Sequence, residues 1–364
     1  MKVSVLGAGN GGYALAVELT QMGHEVILYE SEKFRDAIQP VIDAGHVINA
    51  LEKHNGGTAV IHGVTKIHKA TTDIKEAIEF CEVAMLIMPS FGQATIFEMA
   101  FPYITEKHTF VSLPGNFAFL DFVKIIQKNS KMDICKKLPF TMVEGSSIPY
   151  VVRKTEGNEV FISGVKDVMY AGVYPSCRTE ATMELIKPLF SLKLVAQKNV
   201  IQTGLSNLNF MIHPPILLLN SGWVEARKGD FYFYREAASH SVMKFVDALD
   251  KERVAVGTAL GFDMLDILTT WKNLYGDTKS TTLDEFLANA EFFKTVKAPP
   301  TLQNRFITED LNYILAPMVR YLAKKNNVPT PVADAIITAA HVITGLSVEP
   351  ARNFDEFPLD LSEI

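Results

Sequence analysis

Apolar positions in the first third of the chain fall in short, dense runs. Lys2–Leu6 (KVSVL), Glu25–Tyr29 (EVILY), 83–88 (VAMLIM) and 109–113 (TFVSL) are each bounded by glycine, proline or polar residues. Runs of this length and bounding read as buried strands. Residues 14–22 and 94–101 carry helical spacing between them, and strand–helix–strand alternation predicts a parallel sheet. From 139 to 205 the runs shorten and turn residues become frequent. Glu156-Gly157-Asn158 predicts a hairpin link between two strands. Residues 179–187 predict a short helix, with Glu180 suited to its positive end and Pro188 closing it. After Asn207 strand signals thin out, and the spacing predicts helices over 207–226, 239–260, 283–291, 308–325 and 332–343. Apolar positions of 336–343 suit either a core or a subunit interface. An α/β domain joined near residue 206 to an all-helical one is the expected architecture.

The turn after the first strand carries candidate chemistry. Gly7-Ala8-Gly9-Asn10-Gly11-Gly12 matches G-x-G-x-x-G, and it follows a strand and opens a helix. In that context the pattern reads as a dinucleotide fingerprint. Gly7 allows the tight turn, Gly9 lets backbone approach a diphosphate, and Gly12 permits close helix–strand packing. The phosphates would sit over the helix start, where free N–H groups favour anions. The expected fold class is therefore α/β plus all-α. A Rossmann-type doubly wound sheet forms an NAD(P)-binding domain over 1–205, and a C-terminal helical substrate domain spans 206–364. Glu30 ends the second strand, where a carboxylate can bond the adenosine ribose and repel a 2′-phosphate. That favours NAD (as NADH), although Lys33 and Arg35 lie close enough to keep NADP open. An ordinary exposed loop glutamate is the competing reading of Glu30.

Two clusters in the helical half could supply a site. Asn207, Asn209 and His213 open its first stretch, and Asn209 and His213 are four apart, so one helix face would hold both. Pro214-Pro215 weakens that inference, because proline breaks helices. His213 is a general acid/base candidate, since imidazole titrates near neutrality; a merely hydrogen-bonded histidine at a helix start is the alternative. Downstream, Arg305-Phe306-Ile307-Thr308-Glu309-Asp310 precedes an apolar helix. Thr308 could be its cap. Alternatively Arg305 clamps a substrate carboxylate through its fork, and Asp310 orients and charge-stabilises His213.

Composition narrows the class. The 364 residues suit two domains, and 48% hydrophobic with 21% charged residues suits a folded chain. A formal charge of −6 offers no basic excess for nucleic acid or anionic lipid. Three scattered cysteines (Cys81, Cys135, Cys177) exclude a disulfide framework and a cysteine-rich metal site, and suit a reducing cytosol. No leader or membrane-spanning run is seen, so the expectation is a cytoplasmic protein with no metal, no nucleic-acid partner and no membrane partner. A homodimer is compatible with the sequence.

Taken together, the glycine motif, His213-Pro214 followed by Leu217-Leu218-Leu219-Asn220, the segment Arg305–Asp310, and Val328-Pro329-Thr330-Pro331 resemble the octopine/nopaline (opine) dehydrogenase family. Residues 250–261 (DKERVAVGTALG) also look like that family's helical domain. The resemblance implies NAD(P)H-dependent, reversible reductive condensation of an α-keto acid, pyruvate foremost, with the amino group of an L-amino acid. It implies His213 as catalytic acid/base, Asp310 as its partner and Arg305 as binder of the keto-acid carboxylate. Asn207 and Asn209 would face substrate from the same helix, and Val152 and Arg153 are candidates for the wall of an amino-acid pocket. Other two-domain dehydrogenases of 2-keto or hydroxy acids place a lysine four residues before an asparagine on the first helix after the nucleotide domain. Here that residue is Leu205, and no lysine lies between Asn199 and Arg227. A non-catalytic, dinucleotide-binding redox sensor is the alternative from a different class.

Overall fold

The computed structural model describes residues 1–54, 57, 58, 60–130, 138 and 140–356. Cys135 lies outside them. The chain divides into two compact units, Met1–Thr203 and a second beginning at Gly204.

The strands of the first unit are β1 Lys2–Leu6, β2 Glu25–Tyr29, β3 Val47–Ala50, the pair β4 Lys53–His54 and β5 Gly57–Thr58, β6 Gly63–Lys66 and β7 Lys69–Thr71. They continue with β8 Val83–Leu86, β9 Thr109–Ser112, β10 Thr141–Gly145, β11 Tyr150–Lys154, β12 Glu159–Val165, β13 Val168–Tyr174 and β14 Lys193–Ala196. Its helices are α1 Asn10–Gln21, α2 Gln39–Asp43, α3 Ile74–Phe80, α4 Ser90–Ala100, α5 Ala118–Ser130 and α6 Thr179–Ile186, with α7 Val200–Leu205 at the boundary.

One sheet has eight strands in the order β14-β13-β10-β9-β8-β1-β2-β7. All its pairings are parallel except β10 with β13. From β1 the chain moves to β2 on one side and later to β8 on the other, so the strand order reverses beside β1. Open α/β sheets bind ligands outside the carboxyl ends of strands at such a point. A second sheet, β11-β12-β3-β6, packs on the far side of α1. Residues Gly12–Leu19 of α1 are consequently all buried, which explains why the helix is apolar around its circumference. Its one buried acid, Glu18, accepts from the hydroxyls of Tyr150 and Ser191, a polar group paired as burial demands.

The second unit holds α8 Asn209–Leu219, α9 Ser221–Arg227, α10 Phe233–Glu236, α11 His240–Ala259, α12 Ile267–Tyr275, α13 Leu283–Asn289, α14 Arg305–Asp310 and α15 Pro331–Thr344. Two sequence expectations are corrected here. The helix expected over 207–226 begins at Asn209 and breaks at Asn220, whose amide donates to the Ile216 and Ala237 carbonyls. Pro214 and Pro215 lie inside α8 without ending it, because nine of its eleven residues are buried and packing outweighs the lost backbone bonds. The second correction concerns Thr308. It is inside α14, and Asn304 is the cap, its Oδ1 accepting the Phe306 N–H at 2.9 Å.

The 250–261 stretch fastens this unit. Asp250 and Arg253 pair in the core, with Arg253 also donating to the Leu205 and Leu265 carbonyls. Glu252 accepts the Val332 and Ala333 N–H groups and so caps the start of α15. On α15, Ile336 and Ile337 are buried, whereas Val342 and Ile343 are exposed.

Candidate active site

β1 delivers the chain into Gly7, whose φ of +117° is open to glycine but not to other residues. A Cβ on Gly12 would lie 1.7 Å from the Gly7 carbonyl oxygen, so only glycine lets α1 come this close. Gly9 differs: nothing lies within 4 Å of where its Cβ would be. It is the N-cap of α1, and no side chain caps the first turn. Open space over Gly9, uncapped first-turn N–H groups and the helix dipole suit a diphosphate.

Glu30 is 8% exposed. Its carboxylate accepts the Ala8 and Ser31 N–H groups, each at 2.9 Å, which is not the setting of a free loop glutamate. The acid braces the glycine loop and retains lone pairs for a ribose hydroxyl. Asn10 fastens the loop from the other side, its Oδ1 accepting the Lys154 N–H at 2.9 Å. Lys33 lies over the Phe34 ring and Arg35 pairs with Glu32, so neither bonds Glu30. Lys154, whose N–H meets Asn10, brings a cation to this side of the loop, its Nζ 4.0 Å from the Tyr13 ring centre and donating to the Ala37 carbonyl. Burial lowers its pKa, and the Glu30 charge partly offsets that.

In the second unit, His213 and Asp310 meet. Asp310 Oδ2 is 2.7 Å from His213 Nδ1, and both side chains are 8% exposed. Helix α8 supplies the histidine, and the last residue of α14 supplies the acid. The Phe306 ring, one turn before Asp310, stacks on the imidazole with centroids 3.9 Å apart, and Phe233 covers its edge. This packing and the carboxylate fix the ring and direct Nε2 away from Asp310. An N–H on Nδ1 facing a carboxylate leaves Nε2 to take and give protons.

Nε2 itself is 2.9 Å from the Tyr234 hydroxyl. Tyr234, on α10, gives no signal in sequence: Phe231-Tyr232-Phe233-Tyr234 reads as an aromatic run suited to core. Its pKa is well above the ordinary phenol range, chiefly through burial, with Tyr275 and Asp310 adding and Arg305 opposing. Arg305 opens α14, one turn before Asp310's end of the helix; it is exposed and makes no ion pair among the described residues. Asn209 is exposed on the first turn of α8. Asn207 departs from expectation: it precedes the helix, is 2% exposed, and its Oδ1 accepts the Asn209 N–H at 3.0 Å. Val152 is half-buried and Arg153 exposed, both on β11.

Known proteins divide the chain in two. Residues 2–148 match the family described as NAD-dependent glycerol-3-phosphate dehydrogenase N-terminus. Residues 196–344 match the NAD/NADP octopine/nopaline dehydrogenase alpha-helical domain. An opine dehydrogenase of Arthrobacter sp. (strain 1C) is 28% identical over 335 residues, covering 92% of this chain and 88% of that protein. Vitopine synthase of Allorhizobium ampelinum is 24% identical, covering 93% and 90%. In fold, the chain is similar to octopine dehydrogenase solved with NADH and L-arginine, with a TM-score of 0.75, 21% identity and coverage of 95% and 90%. A nucleotide-binding first unit of the glycerol-3-phosphate dehydrogenase type is thus followed by an octopine/nopaline dehydrogenase helical domain, and along its whole length the chain is similar to opine dehydrogenases, NAD(P)-dependent oxidoreductases acting on CH–NH groups.

Proposed function

We propose that the protein joins an α-keto acid, with pyruvate as the first choice, to the amino group of an L-amino acid in an NADH-dependent reductive condensation. Residues 1–205 would be the cofactor domain and 206–364 the catalytic domain. The observation that carries the reading is the buried His213–Asp310 pair, with Arg305, exposed and in no ion pair among the described residues, on the helix that supplies Asp310. Fold neighbours of this chain, octopine dehydrogenase solved with NADH and L-arginine, pyruvate or agmatine, support the substrate classes. Cys81 is a buried free thiol, which suits a reducing cytoplasmic setting.

The amine attacks the keto carbon to give a carbinolamine, and loss of water gives an iminium. The hydride that reduces it to the secondary amine would come from NADH held at the glycine loop and Glu30. Arg305 holds the keto-acid carboxylate with its bidentate fork and fixes the orientation of the carbon under attack. His213 stores the proton that the attacking amine releases and the departing oxygen takes up, while Asp310 stabilises the imidazolium between those steps. Asn209 contributes a polar group to the same helix turn, and Asn207 acts by holding that turn. Glu30 favours NADH by offering an anion where NADPH would carry its extra phosphate.

The experiment is NADH oxidation with pyruvate alone, then with a pool of L-amino acids added. Oxidation that requires both establishes condensation, and splitting the pool names the amine. Oxidation with pyruvate alone makes the protein a hydroxy-acid dehydrogenase and overturns the reading.

A further inference from the structure

The imidazole of His213 has no nitrogen left for a substrate. Nδ1 is held by Asp310, Nε2 by the Tyr234 hydroxyl, one ring face by Phe306 and an edge by Phe233. The residue is 6% exposed. Tyr234 keeps part of its surface accessible and is walled by Phe233 and Phe293, with ring centres 4.8 and 4.4 Å away. We propose that Tyr234 is a further catalytic residue, whose hydroxyl relays the proton between His213 Nε2 and the reacting oxygen.

The relay rests on the condensation reading and specifies its dehydration step. Imidazolium Nε2–H donates to the Tyr234 oxygen, and the Tyr234 O–H donates to the carbinolamine oxygen. As the C–O bond breaks, its electron pair leaves with water, and the nitrogen lone pair forms the C=N bond. Tyr234 gives one proton and receives one, so it ends unchanged; His213 ends neutral and the charge passes to the iminium. A phenol this resistant to ionisation does not accumulate as phenolate. Both protons therefore move together. In the resting state, with the Nδ1 proton on Asp310's side, the phenol O–H donates to Nε2 and holds the ring ready.

The test compares wild type with Tyr234→Phe, which keeps the ring and its packing. Wild-type oxidation of NADH with both substrates is measured first, then kcat in mixtures of light and heavy water. The expected result is a kcat loss of about 10²-fold in Y234F, the lower end of what losing acid–base help costs. Affinity for NADH, read by its fluorescence, stays as in wild type. The wild-type isotope plot bows, as two moving protons require, and that of Y234F is straight. Equal kcat in folded Y234F overturns the relay while leaving condensation intact. A slower Y234F with the same bowed plot also overturns it, reducing Tyr234 to a support for the His213 ring. Absence of amine-dependent oxidation in both proteins overturns the condensation reading and the relay with it.

Discussion

Asp310→Asn removes one charge and almost no volume, so it isolates what the carboxylate does for His213. The two side chains stand 2.7 Å apart at their nearest atoms and are buried to the same extent. Unit charges about 4 Å apart at an effective dielectric of about 20 interact by roughly 4 kcal/mol. At about 1.4 kcal/mol per tenfold, losing that stabilisation of a developing imidazolium slows turnover about 10³-fold. A second effect adds to it. The asparagine amide can donate to Nδ1, which allows the wrong tautomer and leaves Nε2 protonated at rest. The same substitution in a serine-protease triad costs about 10⁴ in kcat, which sets the upper end. Amine-dependent NADH oxidation at saturating substrates measures the loss, and thermal unfolding checks that the variant is folded. NADH affinity should not move, since the glycine loop is untouched. Turnover equal to wild type in a folded D310N would refute the reasoning, because the buried charge would then do nothing for the rate.

Arg305→Met should raise the KM for the keto acid by about 10–100-fold, the value of a charged hydrogen-bond pair, and it should shift stability by no more than about 0.5 kcal/mol, as for an exposed side chain with no ion pair among the described residues; an unchanged KM would remove Arg305 from the site. Gly9→Ala and Gly12→Ala should separate binding from folding. G9A meets open space and folds normally but binds NADH more weakly, whereas G12A drives a Cβ into the Gly7 carbonyl and unfolds earlier, by about 1–3 kcal/mol. Calorimetric unfolding and NADH fluorescence titration decide both, and tight NADH binding by G9A would remove the diphosphate from that space. Lys166 is buried, donates to Ser147 Oγ at 2.7 Å, and burial pushes its ammonium down to about 7. A basic group with a depressed folded-state pKa contributes full stability above its ordinary range near 10.5 and loses it as pH falls toward 7. Urea unfolding of Lys166→Met should therefore gain on wild type over that interval and level off below it; parallel profiles would contradict the burial.

The central strands and the glycine turn were legible because their signals are local. β1, α1 and β2 form one contiguous unit, and the residues that make its turn tight are those that pack it. The second sheet was not legible. β3 (VINA) and β6 (GVTK) are four-residue strands with mixed polarity, and they exist because β12 and each other supply partners from distant sequence. The antiparallel insertion of β13 beside β10 depends in the same way on long-range pairing. Helix α12 carries only a short periodic signal, although Asp266 caps its start and Gly276 ends it at φ +66°. There the apolar stripe is short, and the tertiary contacts of Trp271 with Phe286 and Phe293 do what periodicity does elsewhere.

Residue type and motif membership do not by themselves separate chemistry from architecture at the candidate site. Arg253 and Arg305 both lie in segments that resemble the family, and both stand near acids in sequence. Arg253 is 1% exposed and spends its guanidinium on Asp250 and two carbonyls, so the fold consumes its hydrogen-bonding capacity. Arg305 is exposed and keeps its fork unspent among the described residues, so its charge is available to a ligand. Histidine follows the opposite rule: His213 is informative because it is buried and spoken for, by an acid 97 residues away and a phenol 21 residues away. A cation that must bind an anion has to remain unpaired, whereas an imidazole that moves protons is oriented by an acid at one nitrogen and exchanges them at the other. Those requirements concern partners rather than identity, and only the folded chain displays them.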